Sequence, residues 1–125
     1  MVIGQDRAGQ FVTVGTLQGQ QVRFVVNRTQ RETVIPLGLM KNNMTKSCSE
    51  SARHGNSERP RGCIGYAESL VFGVFALPRI PAVFIETNSD TVSVGADVMA
   101  GFEVEQTETM MLIRSRHFSK GVESE

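Results

Sequence analysis

The residues with the most chemical promise lie in one short turn, Asn27-Arg28-Thr29, which follows the apolar run Phe24-Val25-Val26 and precedes Thr33-Val34-Ile35-Pro36-Leu37. Their types limit what the turn can do. The asparagine amide neither holds a negative charge nor releases a proton near neutral pH, so Asn27 is neither a general base nor a general acid. Thr29 is β-branched and resists the sharp backbone dihedrals that a glycine would allow. Asn27-Arg28-Thr29 and Asn43-Met44-Thr45 both match the Asn-x-Thr glycosylation pattern, which is short enough to arise by chance. Asn27, at the end of an apolar strand, is expected to be partly buried, and no glycan is expected on either.

The remaining chemistry-bearing residues form no constellation. Cys48 and Cys63 are the only cysteines, with no C-x-x-C and no matched histidine spacing, so no zinc site is expected. They would flank a polar stretch as a disulfide in an oxidising compartment; two free thiols are the expectation. His54 and His117 have no distinctive neighbours and are expected to be solvated. There is no Gly-x-Ser-x-Gly elbow for a serine nucleophile. Gly15, Gly19, Gly65 and Gly73 lack the spacing of a phosphate loop and suit turns and bulges. Met110 and Met111 suit a core or an interface. Asp97, in Val94-Gly95-Ala96-Asp97, is expected to favour a helix N-terminus rather than to act catalytically. Asp6 and Asp90 sit in turns.

Short β-strands separated by turn residues make up most of the chain. Val2 to Leu17 reads as a hairpin with Gln5-Asp6-Arg7-Ala8-Gly9 at its tip, and Gln21 to Val26 as the next strand. Pro36 to Asn43 allows a helical turn or a loop. Asn43 to Gly62 is rich in Ser, Asn, Arg and Glu with almost no large apolar residue, and reads as a mobile excursion that proteases would cut after Arg53 or Arg61. Strands return at Cys63 to Gly73, Val74 to Leu77 and Ala82 to Ile85. Pro78 and Pro81 are expected to break this region, because proline cannot donate to a central ladder. A strand ending in Val94-Gly95, a short helix Ala96 to Ala100, and strands at Phe102 to Glu105 and Met110 to Arg114 complete a barrel of about six to eight strands. The domain spans residues 1–119, with a frayed tail at 120–125.

The order GQFVTVGTLQGQQVRFVV, then the Asn27 turn and TVIPLGL, then an apolar-Gly element with a short helix and a last strand, resembles single-domain, retroviral-type (retropepsin-like) aspartic proteases. In that family the turn reads Asp-Thr-Gly-Ala. The frame matches without a gap: Asn27 stands at the Asp position, Arg28 at Thr, Thr29 at Gly and Gln30 at Ala. The resemblance implies an all-β closed barrel with one short C-terminal helix, and a homodimer in which two such turns would bring two carboxyl groups together to share a proton. It further implies that the apolar-Gly element packs beside the turn. A substrate-covering flap would fall within the polar excursion, with Arg53, His54 and Gly55 near its tip. With Asn27, Arg28 and Thr29 at the catalytic positions, the expected function is a peptidase domain that has lost its chemistry and acts as a binding or assembly module. The alternative is an active aspartic endopeptidase working as a homodimer. A further reading is that compensating frame changes produced the composition break between Arg28 and about Gly62.

Composition sets the outer limits. The chain has 125 residues, 40% hydrophobic and 21% charged, the size and balance of one globular domain. No apolar run approaches the ~20 residues of a membrane-spanning helix, so no membrane partner is expected. A formal net charge of zero speaks against nucleic acid as an obligatory partner, although Asn27 to Gly62 carries a local excess of +4. No cofactor is implied. Met1-Val2-Ile3-Gly4 does not open a secretory leader, so a cytoplasmic location is the default expectation.

Overall fold

The computed structural model describes residues 1–40 and 62–116. Nine strands run in chain order: β1 Val2–Gln5, β2 Phe11–Leu17, β3 Gln20–Val26, β4 Val34–Pro36, β5 Gly62–Phe72, β6 Phe75–Ile85, β7 Thr91–Val94, β8 Phe102–Gln106 and β9 Met110–Ser115. A 3-10 turn, Leu37–Leu39, follows β4, and one short helix, α1 Ala96–Met99, follows β7. Six strands close on themselves in the order β3-β7-β4-β6-β5-β2, with β2 pairing back onto β3. The all-β barrel with one short C-terminal helix is therefore observed, its six closed strands within the six to eight expected, and three further described strands lie beside it.

The extra strands arise because β2 uses one of its edges twice. Phe11 and Val12 pair with Gln5 and Gly4 of β1, while Gly15 to Leu17 pair with Phe72 to Leu70 of β5. β1 then pairs with β9, and β9 with β8, which forms an annex beside the barrel. Gly15 permits the crowding at this fork, since a Cβ there would lie 1.8 Å from the Val71 carbonyl oxygen.

The expected break at the prolines does not occur; β6 is continuous through Pro78 and Pro81. Pro78 stands opposite Ser69, the one pair missing from an otherwise unbroken register between Glu68↔Arg79 and Leu70↔Leu77, and Ser69 takes a φ of +63°. The missing pair leaves the proline without a ladder bond to make, as the absence of its N–H requires. Pro81 precedes Val83, where pairing with β4 begins, so its missing N–H faces an edge with no partner strand among the described residues.

The core explains why β3 ends where the candidate site begins. Phe24, Val25 and Val26 are all buried, the mark of a strand covered on both faces. Phe24 packs edge-on against Phe72, their centroids 5.4 Å apart, and Phe72 packs in the same way on Phe102 at 6.1 Å. Each such ring contributes on the order of 2–3 kcal/mol through burial. The chain leaving β3 is thus held on the packed core of the barrel. Two further expectations change: Cys63 is disulfide-bonded, not a free thiol, and Asn27 is exposed, not partly buried. Cys48, His54, His117, residues 43–61 of the excursion and the tail 120–125 lie outside the described residues.

Candidate active site

The turn after β3 is positioned from its backbone outward. The Asn27 amide donates to the Val94 carbonyl at 2.9 Å, extending the parallel β3–β7 ladder by one bond. Gln30 N–H closes the turn onto the Asn27 carbonyl at 3.1 Å. The Asn27 side-chain oxygen accepts from the Thr29 hydroxyl at 2.7 Å and from the Thr29 N–H at 3.3 Å. The side chain at the candidate catalytic position therefore serves its own turn, as asparagine commonly does.

Thr29 does not strain this arrangement. Among the described residues only Gln18 and Ser69 combine a side chain with positive φ, so the turn closes without the left-handed dihedral that glycine would supply. Arg28 and Arg31 are exposed, and the Arg28 guanidinium donates to the Gln106 side chain on β8 at 3.3 Å. Glu32 is also exposed.

The far side of the turn is fixed by α1. A helix leaves its first N–H groups without internal partners. Here Ala96 N–H donates to the Gln30 carbonyl at 2.7 Å and Asp97 N–H to the Arg31 carbonyl at 3.0 Å. Close approach is a condition of these bonds: a Cβ on Gly95 would lie 2.6 Å from the Glu32 carbonyl and 2.9 Å from the Gln30 oxygen. The apolar-Gly element thus packs against the turn.

Thr33, which sequence reasoning passed over, is the buried hub of this contact. Its hydroxyl donates to Asp97 Oδ1 at 2.7 Å and accepts from Gly95 N–H at 2.9 Å, and its own N–H donates to Asp97 Oδ2 at 3.2 Å. Asp97 Oδ1 also accepts from Val98 N–H at 2.6 Å, in keeping with a role at the helix N-terminus. A hydroxyl at the head of the apolar run Val34-Ile35, and an acid two residues after the glycine, were the available signals. Gln30 adds a clamp, donating to the Glu32 carbonyl at 2.5 Å and accepting from the Ser93 hydroxyl at 3.2 Å.

Asn27, Arg28 and Thr29 are thus contiguous and exposed on one turn, while Arg53, His54 and Gly55 lie outside the described residues. No group of three or more His, Cys, Asp or Glu side chains forms a metal-binding cluster among the described residues. No described helix is long and apolar enough to cross a membrane.

A closed six-stranded barrel whose third strand ends in a turn braced by a Gly-led short helix defines a retropepsin-like fold. Among solved structures it is similar to the crystal structure of a retropepsin-like aspartic protease from Rickettsia conorii, with a TM-score of 0.72 over 92% of this chain and 90% of that one, at 12% identity. No protein-family model and no curated protein matches the sequence. A likeness at that identity is one of fold.

Proposed function

We propose that this chain is a retropepsin-like domain without peptidase chemistry, acting as a homodimeric binding or assembly module. The observation that carries the proposal is the state of Asn27. Its amide holds no charge, and its oxygen is engaged by both donors of Thr29. The nearby acids do not replace it: Asp97 accepts bonds from Thr33 and Val98, and Glu32 is exposed. Aspartic-protease chemistry needs two carboxyl groups at one point, one ionised and one protonated.

One observation favours a second reading, an active aspartic endopeptidase: the similar solved structure is described as a protease. Incubating the purified protein with denatured protein substrates at acidic and neutral pH, with and without a transition-state-mimic inhibitor, separates the two. The expected result is no inhibitor-sensitive cleavage. Cleavage that the inhibitor abolishes would establish the second reading. Analytical ultracentrifugation tests the homodimer, and a monomer at high concentration would remove that part of the proposal.

A further inference from the structure

Away from the Asn27 turn, an open groove of about 880 Å³ lies between β6, α1, β8 and β9. That volume is within the ~300–1,000 Å³ usual for small-molecule sites. Its walls are Phe75, Leu77, Ile80, Val98, Phe102 and Ile113, all members of the core cluster or packed against it. Phe75 and Leu77 are half-buried at its mouth, with Ile80, Val98, Phe102 and Ile113 buried beneath them, and such an apolar trough suits an unbranched hydrocarbon chain.

The charges at its border select the head group. Arg114 lines the groove, is exposed, and forms no ion pair among the described residues although Glu103 stands opposite it across the β8–β9 ladder. Arg116 adds a second cation close by, its guanidinium donating to the Phe102 carbonyl at 3.1 Å. The acid on the border, Asp97, has both oxygens engaged by Thr33 and Val98. A cation with free donors beside an apolar trough matches a carboxylate carried on an alkyl chain.

We propose that this groove binds a medium-chain monocarboxylate, with its chain along Phe75, Val98 and Phe102 and its carboxylate on Arg114. Asn27, Arg28 and Thr29 do not line the groove, although it shares Asp97 with the helix that braces their turn, so the outcome of the peptidase assay does not decide whether it binds a ligand. Gly101 offers a means of blocking it. It lines the groove at ordinary φ, and a Cβ there meets only the Val98 carbonyl oxygen, at 3.6 Å.

The test is a calorimetric and NMR titration with decanoate, decanol and decylamine, each below its self-association concentration, against the native chain, Arg114→Gln and Gly101→Trp. Decanoate is expected to saturate and to bind about tenfold more tightly than decanol, the effect of one charge-assisted contact at an open site. Arg114→Gln should remove that difference, and Gly101→Trp should abolish binding of both while circular dichroism shows a folded barrel. Absence of saturable decanoate binding would overturn the proposal, as would equal affinity for decanol, or undiminished binding by Arg114→Gln or by folded Gly101→Trp. Tighter binding of decylamine would overturn it too, by assigning the head group to Asp97.

Discussion

The Thr33 hydroxyl lies 2.7 Å from Asp97 Oδ1 while accepting the Gly95 N–H, and this one side chain ties the strand after the candidate active-site turn to the helix that braces it. Thr33→Val keeps the shape and removes both bonds, leaving a buried N–H and a carboxylate oxygen short of a donor. The expected loss is about 2–3 kcal/mol of unfolding free energy by urea titration. Thr33→Ser should recover most of it, because the hydroxyl returns.

Gly95 and Gly101 flank the same helix but should respond oppositely to a methyl group. Gly95→Ala drives a Cβ into the Glu32 carbonyl at 2.6 Å, so the turn or the helix must shift. A loss above about 2 kcal/mol is expected. Gly101→Ala meets only an ordinary contact and should stay within about 0.5 kcal/mol of the native chain. Thermal melts of the two variants check this contrast directly.

Acid should weaken the first hairpin through Asp6. Its carboxyl is held below the usual range, most strongly by the Gln10 N–H, then by the Ala8 N–H and the Arg23 guanidinium, with desolvation opposing. Because the folded value is depressed, this contribution is fully present above the unfolded value, near pH ~4, and is lost as pH falls through the folded one. Unfolding midpoints measured across that range should fall less steeply for Asp6→Asn than for the native chain.

Restoring the turn requires more than one residue. In Asn27→Asp the new carboxylate would accept from the Thr29 hydroxyl and N–H and stand beside Arg28, all of which favour the ionised form and oppose a shared proton. The single variant should remain inactive. Combining Asn27→Asp, Arg28→Thr, Thr29→Gly and Gln30→Ala should yield acid-favoured, inhibitor-sensitive cleavage in a peptide assay. Activity in the native chain that survives Asn27→Ala would place the chemistry elsewhere.

Dimerisation should respond to salt if copies meet at this turn. Arg28 and Arg31 are both exposed there, so apposed turns would gather like charges. Screening over a Debye length of ~10 Å at 0.1 M should therefore tighten association as salt rises. Sedimentation at low and high ionic strength measures the effect, and Arg28→Gln should reduce it.

Local patterning in the sequence was enough to set most of the strands, the short helix and the position of the turn, though not the continuity of β6. The alternation in Val12 to Leu17, the apolar run Phe24-Val25-Val26 and the Val94-Gly95 step depend only on side-chain period and on glycine's lack of a Cβ, and each stands where it was expected. What Asn27 cannot do was equally legible, since it follows from the amide group alone. Only the tertiary structure decided the rest, because it depends on residues far apart in the chain. Pro78 and Pro81 remain inside β6 because Ser69, across the sheet, makes no ladder pair with Pro78, and because β4 reaches only as far as Val83. Thr33 is a hub because Gly95 and Asp97, more than sixty residues away, come within hydrogen-bonding distance. Asn27 is exposed because the ladder that would cover it ends with Val94 and the chain turns away into α1, a choice made by backbone hydrogen bonds between distant carbonyls and amides that side-chain patterning does not encode.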